Sequence, residues 1–192
     1  MNKKWFNIQG KATDAVAEVY IFDEIGAYGI TAQDFISEMK EYKDTPVNLR
    51  INCIGGDVFD GMAMYNIIKK REAKTTAYIE GIAASMGSVI ALAADEVVMA
   101  ENSLFMIHNA WGGAMGEAED MRKTASILEK ISGEIANIYE RKTRLSLNRI
   151  VEMMDKETWL NAQEAYELGF IDLISDSIKV AAKYDVSKFK NI

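Results

Sequence analysis

Apolar and polar positions alternate along residues 18–22, where Val19 and Ile21 interleave with Glu18 and Tyr20, and this reads as a strand. Thr31 then stands where a helix cap is needed, and Phe35, Ile36 and Met39 recur behind it at helical spacing. Pro46 breaks the chain, and residues 47–52 read as a second strand. After Gly55-Gly56-Asp57 the pattern predicts a helix over 58–71, with Met62, Tyr65 and Ile68 on one face. A third strand is expected over 75–80, ended by Gly81. Residues 85–94 are small or apolar all round, which predicts a buried helix. Short strands follow over 96–99 and 103–108, then a flexible loop over 112–116.

The longest helical segment spans 117–143. Met121, Ala125, Leu128, Ser132, Ile135 and Tyr139 form its apolar stripe, while Glu119 and Lys123 lie on the other face. Ser146 is placed to cap a helix running to about Met154. Asn161 followed by Glu164 has the capping-box spacing, and Gly169 is suited to end that last short helix. A final strand is expected over 178–182. Strands alternate with helices and no linker or internal repeat interrupts them, so the chain is expected to be one α/β domain over 1–192. It reads as a main body (about 15–116 and 145–175) with an extended long helix (about 117–144).

The net charge of −7 argues against nucleic acid or an anionic membrane as the main partner. One Cys and one His are too few for a metal site, and no cofactor is expected. Cys53 cannot form an intrachain disulfide and reads as a buried strand end. The apolar stretch 82–94 falls short of the ~18–20 residues a membrane span needs. Residues 5–9 are too short and polar for the apolar core of a signal peptide. A soluble, cytoplasmic protein is therefore expected.

The chemistry centres on His108, the only histidine, and Ser85, which sits in the small-residue run Gly81-Ile82-Ala83-Ala84-Ser85-Met86-Gly87. Taken alone, Ser85 is better read as a helix cap and His108 as a hydrogen-bonded core residue. Together they read as a nucleophile and its only possible imidazole base. A serine between a strand and a helix also lies beside free backbone N–H groups, and that of Met86 is the natural first oxyanion donor. Gly55-Gly56 lacks the lysine and spacing of a phosphate loop. It reads better as a second oxyanion N–H, from Gly56, with Gly55 and Gly56 forming a strand edge for an extended peptide. Asp155, Glu157 and Asp172 are the candidates for a third group that orients His108.

Four segments carry a family resemblance: 51–58 with Gly61-Met62-Ala63-Met64-Tyr65, 81–87 around Ser85, Met106-Ile107-His108-Asn109, and Leu160-Asn161-Ala162-Gln163-Glu164-Ala165 through Gly169-Phe170-Ile171-Asp172. In this order they resemble the signature regions of the ClpP proteolytic subunit. The short N-terminus, Asn109-Ala110-Trp111 and the segment 154–159 resemble more closely the ClpP-related head maturation proteases of tailed phages. The resemblance implies a crotonase-type spiral of ββα units as a head, a Ser-His-acid triad, and the 117–144 helix as a protruding handle that joins stacked rings, heptamers or tetradecamers. It implies Ser85, His108 and Glu157 as the triad, and Gly56 and Met86 as oxyanion donors. Glu157 stands where the family usually has aspartate, and Ile54 and Ala110 stand where it usually has proline. The axial loops are largely missing, which implies cleavage that is independent of, or weakly coupled to, an unfoldase ATPase.

The expectation is thus a serine endopeptidase acting on extended polypeptides, with phage scaffold or capsid protein as the implied target. Two rivals lack a Ser-His pair in their chemistry: an acyl-CoA hydratase or isomerase of the crotonase fold, and a non-catalytic assembly protein that keeps the fold. A Ser-Lys dyad is a variant that would leave His108 dispensable.

Overall fold

Burial in the first strand, β1 (Ala17–Ile21), follows its alternating sequence, with Ala17, Val19 and Ile21 inside. The computed structural model describes residues 16–176. Within them β2 (Val47–Cys53), β3 (Thr75–Ala84), β4 (Glu96–Ala100), β5 (Leu104–Ile107), β6 (Thr158–Asn161) and β7 (Leu173–Ser175) complete a seven-stranded sheet. The order is β1-β2-β3-β4-β7, and β5 joins β3 to β6. Every pairing is parallel except that of β5 with β6.

Parallel strands need crossovers, and α1 (Ala32–Met39), α2 (Val58–Lys69) and α3 (Met86–Ala91) supply the first three. Thr31 caps α1 by accepting from the Asp34 N–H, as expected. Asp57 caps α2, accepting from the N–H groups of Phe59 and Asp60. The inward face of α2 differs from the expected one. Gly61, Met64 and Ile68 are buried, while Met62 and Tyr65 pack at its edge, partly exposed.

β3 is longer than expected, because it runs through Gly81 instead of stopping there. Its first half pairs with β4 up to Ile79↔Met99, and its second half with β5 from Ile82↔Leu104. Gly81 lies between these two sets of pairs. A tight turn joins the two partners, with Ser103 N–H and Oγ both donating to the Ala100 carbonyl. β4 and β5 therefore occupy successive lengths of one β3 edge. The short β6 and β7 were not expected, and the strand expected over 178–182 lies outside the described residues.

α4 (Ala118–Lys142) has the expected limits and rises about 37 Å at helical pitch. A Glu117–Asp120 capping box starts it. Its stripe is buried only at one end. Ile135, Ala136, Ile138 and Tyr139 are inside, whereas Met121 and Ala125 are exposed and Leu128 and Ser132 half-buried. α5 (Leu147–Asp155), capped by Ser146, and α6 (Ala162–Glu167), with the expected Asn161–Glu164 box, complete the fold. Gly169 follows α6 at φ +81°, a conformation glycine adopts without strain. Cys53 is buried at the end of β2. Among the described residues, no helix is long and apolar enough to cross a membrane.

Candidate active site

Ser85 occupies the single residue between β3 and α3, at φ 53° and ψ −125°. A non-glycine residue held there carries about 1–3 kcal/mol of backbone strain. The surroundings fix it from both sides. Its N–H donates to the Met106 carbonyl at 3.0 Å, and its carbonyl accepts from the N–H groups of Ser88 and Val89. The hydroxyl makes no capping bond to α3. It lies 2.8 Å from His108 Nε2 instead, so the helix-cap reading of this side chain does not describe it.

Strand register brings His108 to that place. β5 runs beside β3 with Met106 opposite Ala84, so the residues leaving both strands are neighbours. β6 lies antiparallel on the far side of β5, with Thr158 opposite Ile107. The next residue outward on each strand is then His108 and Glu157. Glu157 sits at φ 49° between α5 and β6, and its Oε2 is 3.8 Å from His108 Nδ1. That is an ion-pair separation and too long for a hydrogen bond. Both side chains are nearly buried, 11% and 10% exposed, so water screens this pair weakly.

The other two acids are engaged elsewhere. Asp155 accepts from Asn109 Nδ2 at 2.7 Å on the surface beside the site. Asp172 accepts from Lys142 Nζ and from the Val97 N–H, tying the end of α4 to the sheet. The sequence reading missed Trp159. Its indole Nε1 donates to Glu157 Oε1 at 3.4 Å, while its ring packs on the small cluster of Ile54, Ile82, Ala84 and Met106. Strand spacing gave no signal for it, since Glu157 lies in the turn before β6 and not on the strand that carries Trp159.

Gly55 and Gly56 lie at φ +94° and +142°. A Cβ on Gly55 would come 2.7 Å from Ser85 Cβ and 2.9 Å from the Met86 nitrogen. A Cβ on Gly56 would meet the Ile25 carbonyl oxygen at 2.0 Å. Only glycine lets this backbone lie against the serine turn. Ile25 bonds to the Gly55 carbonyl and the Asp57 N–H, taking one edge of the segment that was expected to be open. In that parallel pattern the N–H and carbonyl of Gly56 point to the opposite edge. Met86, first residue of α3, has an N–H without an intrahelical acceptor, and its side chain is buried against Gly61.

A cleft of about 400 Å³ opens over these groups, bordered by Gly56, Ser85, Met86 and His108 and by the exposed rings of Phe59 and Trp111. It continues along α4 past Ile127 and Leu128. Among the described residues, no group of three or more His, Cys, Asp or Glu side chains gathers as a metal site would. What the arrangement offers is a hydroxyl, an imidazole and a carboxylate in series, beside backbone donors and under an apolar wall.

A family model described as Clp protease matches residues 9–177. The ATP-dependent Clp protease proteolytic subunit of Deinococcus radiodurans is 30% identical over 135 residues, covering 69% of this chain and 66% of that protein. Proteolytic subunit 1 of Salinibacter ruber is 30% identical over 147 residues, covering 76% and 63%. The proteolytic subunit of Bacteroides fragilis is 32% identical over 128 residues, covering 66% and 62%. The chain thus spans a little under two thirds of the length of these relatives. A mutant of ClpP1 from Listeria monocytogenes superposes with a TM-score of 0.74 at 25% identity, covering 83% of this chain and 91% of that one. The α/β fold is therefore that of ClpP.

The strain at Ser85 has a measurable consequence. Ser85→Ala keeps the backbone conformation without relieving it, whereas Ser85→Gly relieves it. Glycine costs roughly 0.5–1 kcal/mol of extra chain entropy, less than the strain of about 1–3 kcal/mol. Ser85→Gly should therefore be the more stable of the two by about 1 kcal/mol. Denaturant unfolding of both variants checks this, and a Ser85→Gly chain less stable than Ser85→Ala by roughly 0.5–1 kcal/mol would show that the turn is unstrained.

Proposed function

Because the chain belongs to the Clp protease family, we propose that it is a serine endopeptidase that cleaves extended polypeptides. The observation supporting this most is the 2.8 Å contact between Ser85 Oγ and His108 Nε2. In this reading His108 accepts the Ser85 proton as Oγ attacks the scissile carbonyl. The Glu157 carboxylate, steadied by Trp159, favours the imidazolium that results. Negative charge on the former carbonyl oxygen is met by the N–H groups of Gly56 and Met86. The imidazolium then protonates the departing amine, and water, deprotonated by His108, hydrolyses the acyl-enzyme. The open edge at Gly55-Gly56 takes the substrate as an added strand, with Phe59 and Trp111 against its side chains.

Assembly belongs to the same proposal. The outer half of α4 exposes Met121 at 40% and Ile127 at 54%, on a helix that one head leaves uncovered. A handle over about 117–144 that stacks two rings of a homo-oligomer, heptameric in each ring, would bury them. The resemblance to head maturation proteases suggests phage scaffold or capsid protein as substrate, processed in the host cytoplasm without strict need of an ATPase.

Ser85→Ala should abolish peptide cleavage and leave the particle intact, as the change removes one oxygen from a tight turn. Glu157→Gln should lower kcat by orders of magnitude, at most about the ~10⁴ of the matching change in a model triad. Asp155→Asn should stay within about a few-fold of the parent, since surface contacts like that to Asn109 contribute little. Steady-state kinetics on one fluorogenic peptide tests all three. A collapse in Asp155→Asn with normal Glu157→Gln would transfer the acid's role to Asp155.

Ile131→Pro should break α4 beyond its buried end and release smaller, weakly active particles, seen by light scattering. A monodisperse, active monomer of the parent chain would contradict the ring assembly.

A further inference from the structure

Tyr139 lies in the buried half of α4 and is fully enclosed. Burial raises the pKa of its phenol far above the usual value, so it remains a proton donor. Its hydroxyl is 2.7 Å from Ser88 Oγ, also fully buried. Ser88 Oγ in turn donates to the Ser85 carbonyl at 2.6 Å. A serine hydroxyl has one proton, and here it is given to Ser85. Tyr139 must therefore donate to Ser88, which sets the direction of the chain from α4 through Ser88 to Ser85.

The carbonyl at the end of this chain shares a peptide unit with the Met86 N–H. That unit is planar and trans, so its C=O and N–H point in opposite directions. Gripping the carbonyl aims the N–H. The N–H groups of Ser88 and Val89 also reach this carbonyl, but they belong to α3 itself and turn with it. The Tyr139 hydroxyl is the link in this chain that another element supplies.

Building on the reading of Met86 as an oxyanion donor, we propose that Tyr139 and Ser88 are positioning residues that hold the Met86 N–H on the oxyanion and couple α4 to the nucleophile turn. Packing alone does not call for the hydroxyl. The Tyr139 ring lies edge-on to Phe170 at 5.9 Å, a contact phenylalanine would make equally well. A buried hydroxyl costs stability unless bonded, and this one is bonded to Ser88.

The test uses the full chain as parent, Tyr139→Phe, Ser88→Ala and the double variant. Each is measured for kcat and KM on one peptide, and for affinity toward a peptidyl trifluoromethyl ketone of the same sequence. Addition of Ser85 Oγ to that ketone places an oxyanion in the hole, which the ground-state peptide lacks. For either single variant we expect kcat to fall about tenfold, with KM within about twofold, less than the ~10²–10³ of deleting a donor outright. Ketone affinity should fall by the same factor as kcat. The double variant should match Ser88→Ala, since the two residues act in series. Ser88→Ala, which only removes an oxygen, carries the test if Tyr139→Phe folds poorly.

Unchanged kcat and ketone affinity in both folded single variants would overturn the proposal, as would losses that multiply in the double variant. An unreactive parent would overturn the protease reading and this proposal with it. A reactive parent with unaffected variants would overturn this proposal alone.

Discussion

The register of β5 on β3, with Met106 opposite Ala84, is the constraint on which the site depends. It puts the residues that leave the two strands side by side, Ser85 on one and His108 on the other. A slip of one residue would turn alternate side chains to the other face of the sheet and separate them. The antiparallel register of β6 on β5 extends the same logic to Glu157. Ser85, His108 and Glu157 thus come from the ends of three adjacent strands, and the sheet's hydrogen bonds hold their spacing. The length of β3 makes this possible, because one strand carries β4 along its first half and β5 along its second.

Around that frame, backbone conformation does much of the chemical preparation. Ser85 at φ 53° lifts its hydroxyl out of the strand and begins α3 at Met86. Gly55 and Gly56, free of Cβ atoms, let a second backbone segment lie against the turn. Its amide faces away from the edge that Ile25 occupies. Charged residues of the sheet pair with one another. Arg50, for example, bridges Glu18 and Glu80 at 2.6 and 2.9 Å across neighbouring strands. The long helix lines the cleft through Ile127 and Leu128, and at its buried end Tyr139 reaches Ser88 beneath the serine turn.

Local signals in the sequence matched local structure. Thr31, Ser146 and the Asn161–Glu164 pair each cap a helix where a cap was expected, because capping involves residues within one turn of each other. The limits of α4 were legible for the same reason. Features that arise from pairing distant segments were not. Gly81 signalled an end to β3, but hydrogen bonds from neighbouring strands carry the strand through it. β6 is four residues long and is organised by β5, so it shows no alternation of its own to read. The stripe on α4 fitted helical spacing along its whole length, while burial is confined to the end that packs on α3 and α5. At the site, Ser85 and His108 stood out by residue type and setting. Trp159 and the Ser88–Tyr139 link did not, since their significance lies in contacts that only the fold creates.

The central claim is that His108 activates Ser85, and covalent labelling tests it most directly. Intact mass would be recorded after treating the parent chain, Ser85→Ala and His108→Ala with a fluorophosphonate. A single adduct mapped to Ser85, absent from Ser85→Ala and formed far more slowly in His108→Ala, is the predicted result. A Ser85→Ala chain that still takes up the label, or a His108→Ala chain that reacts at the parent rate, would contradict it.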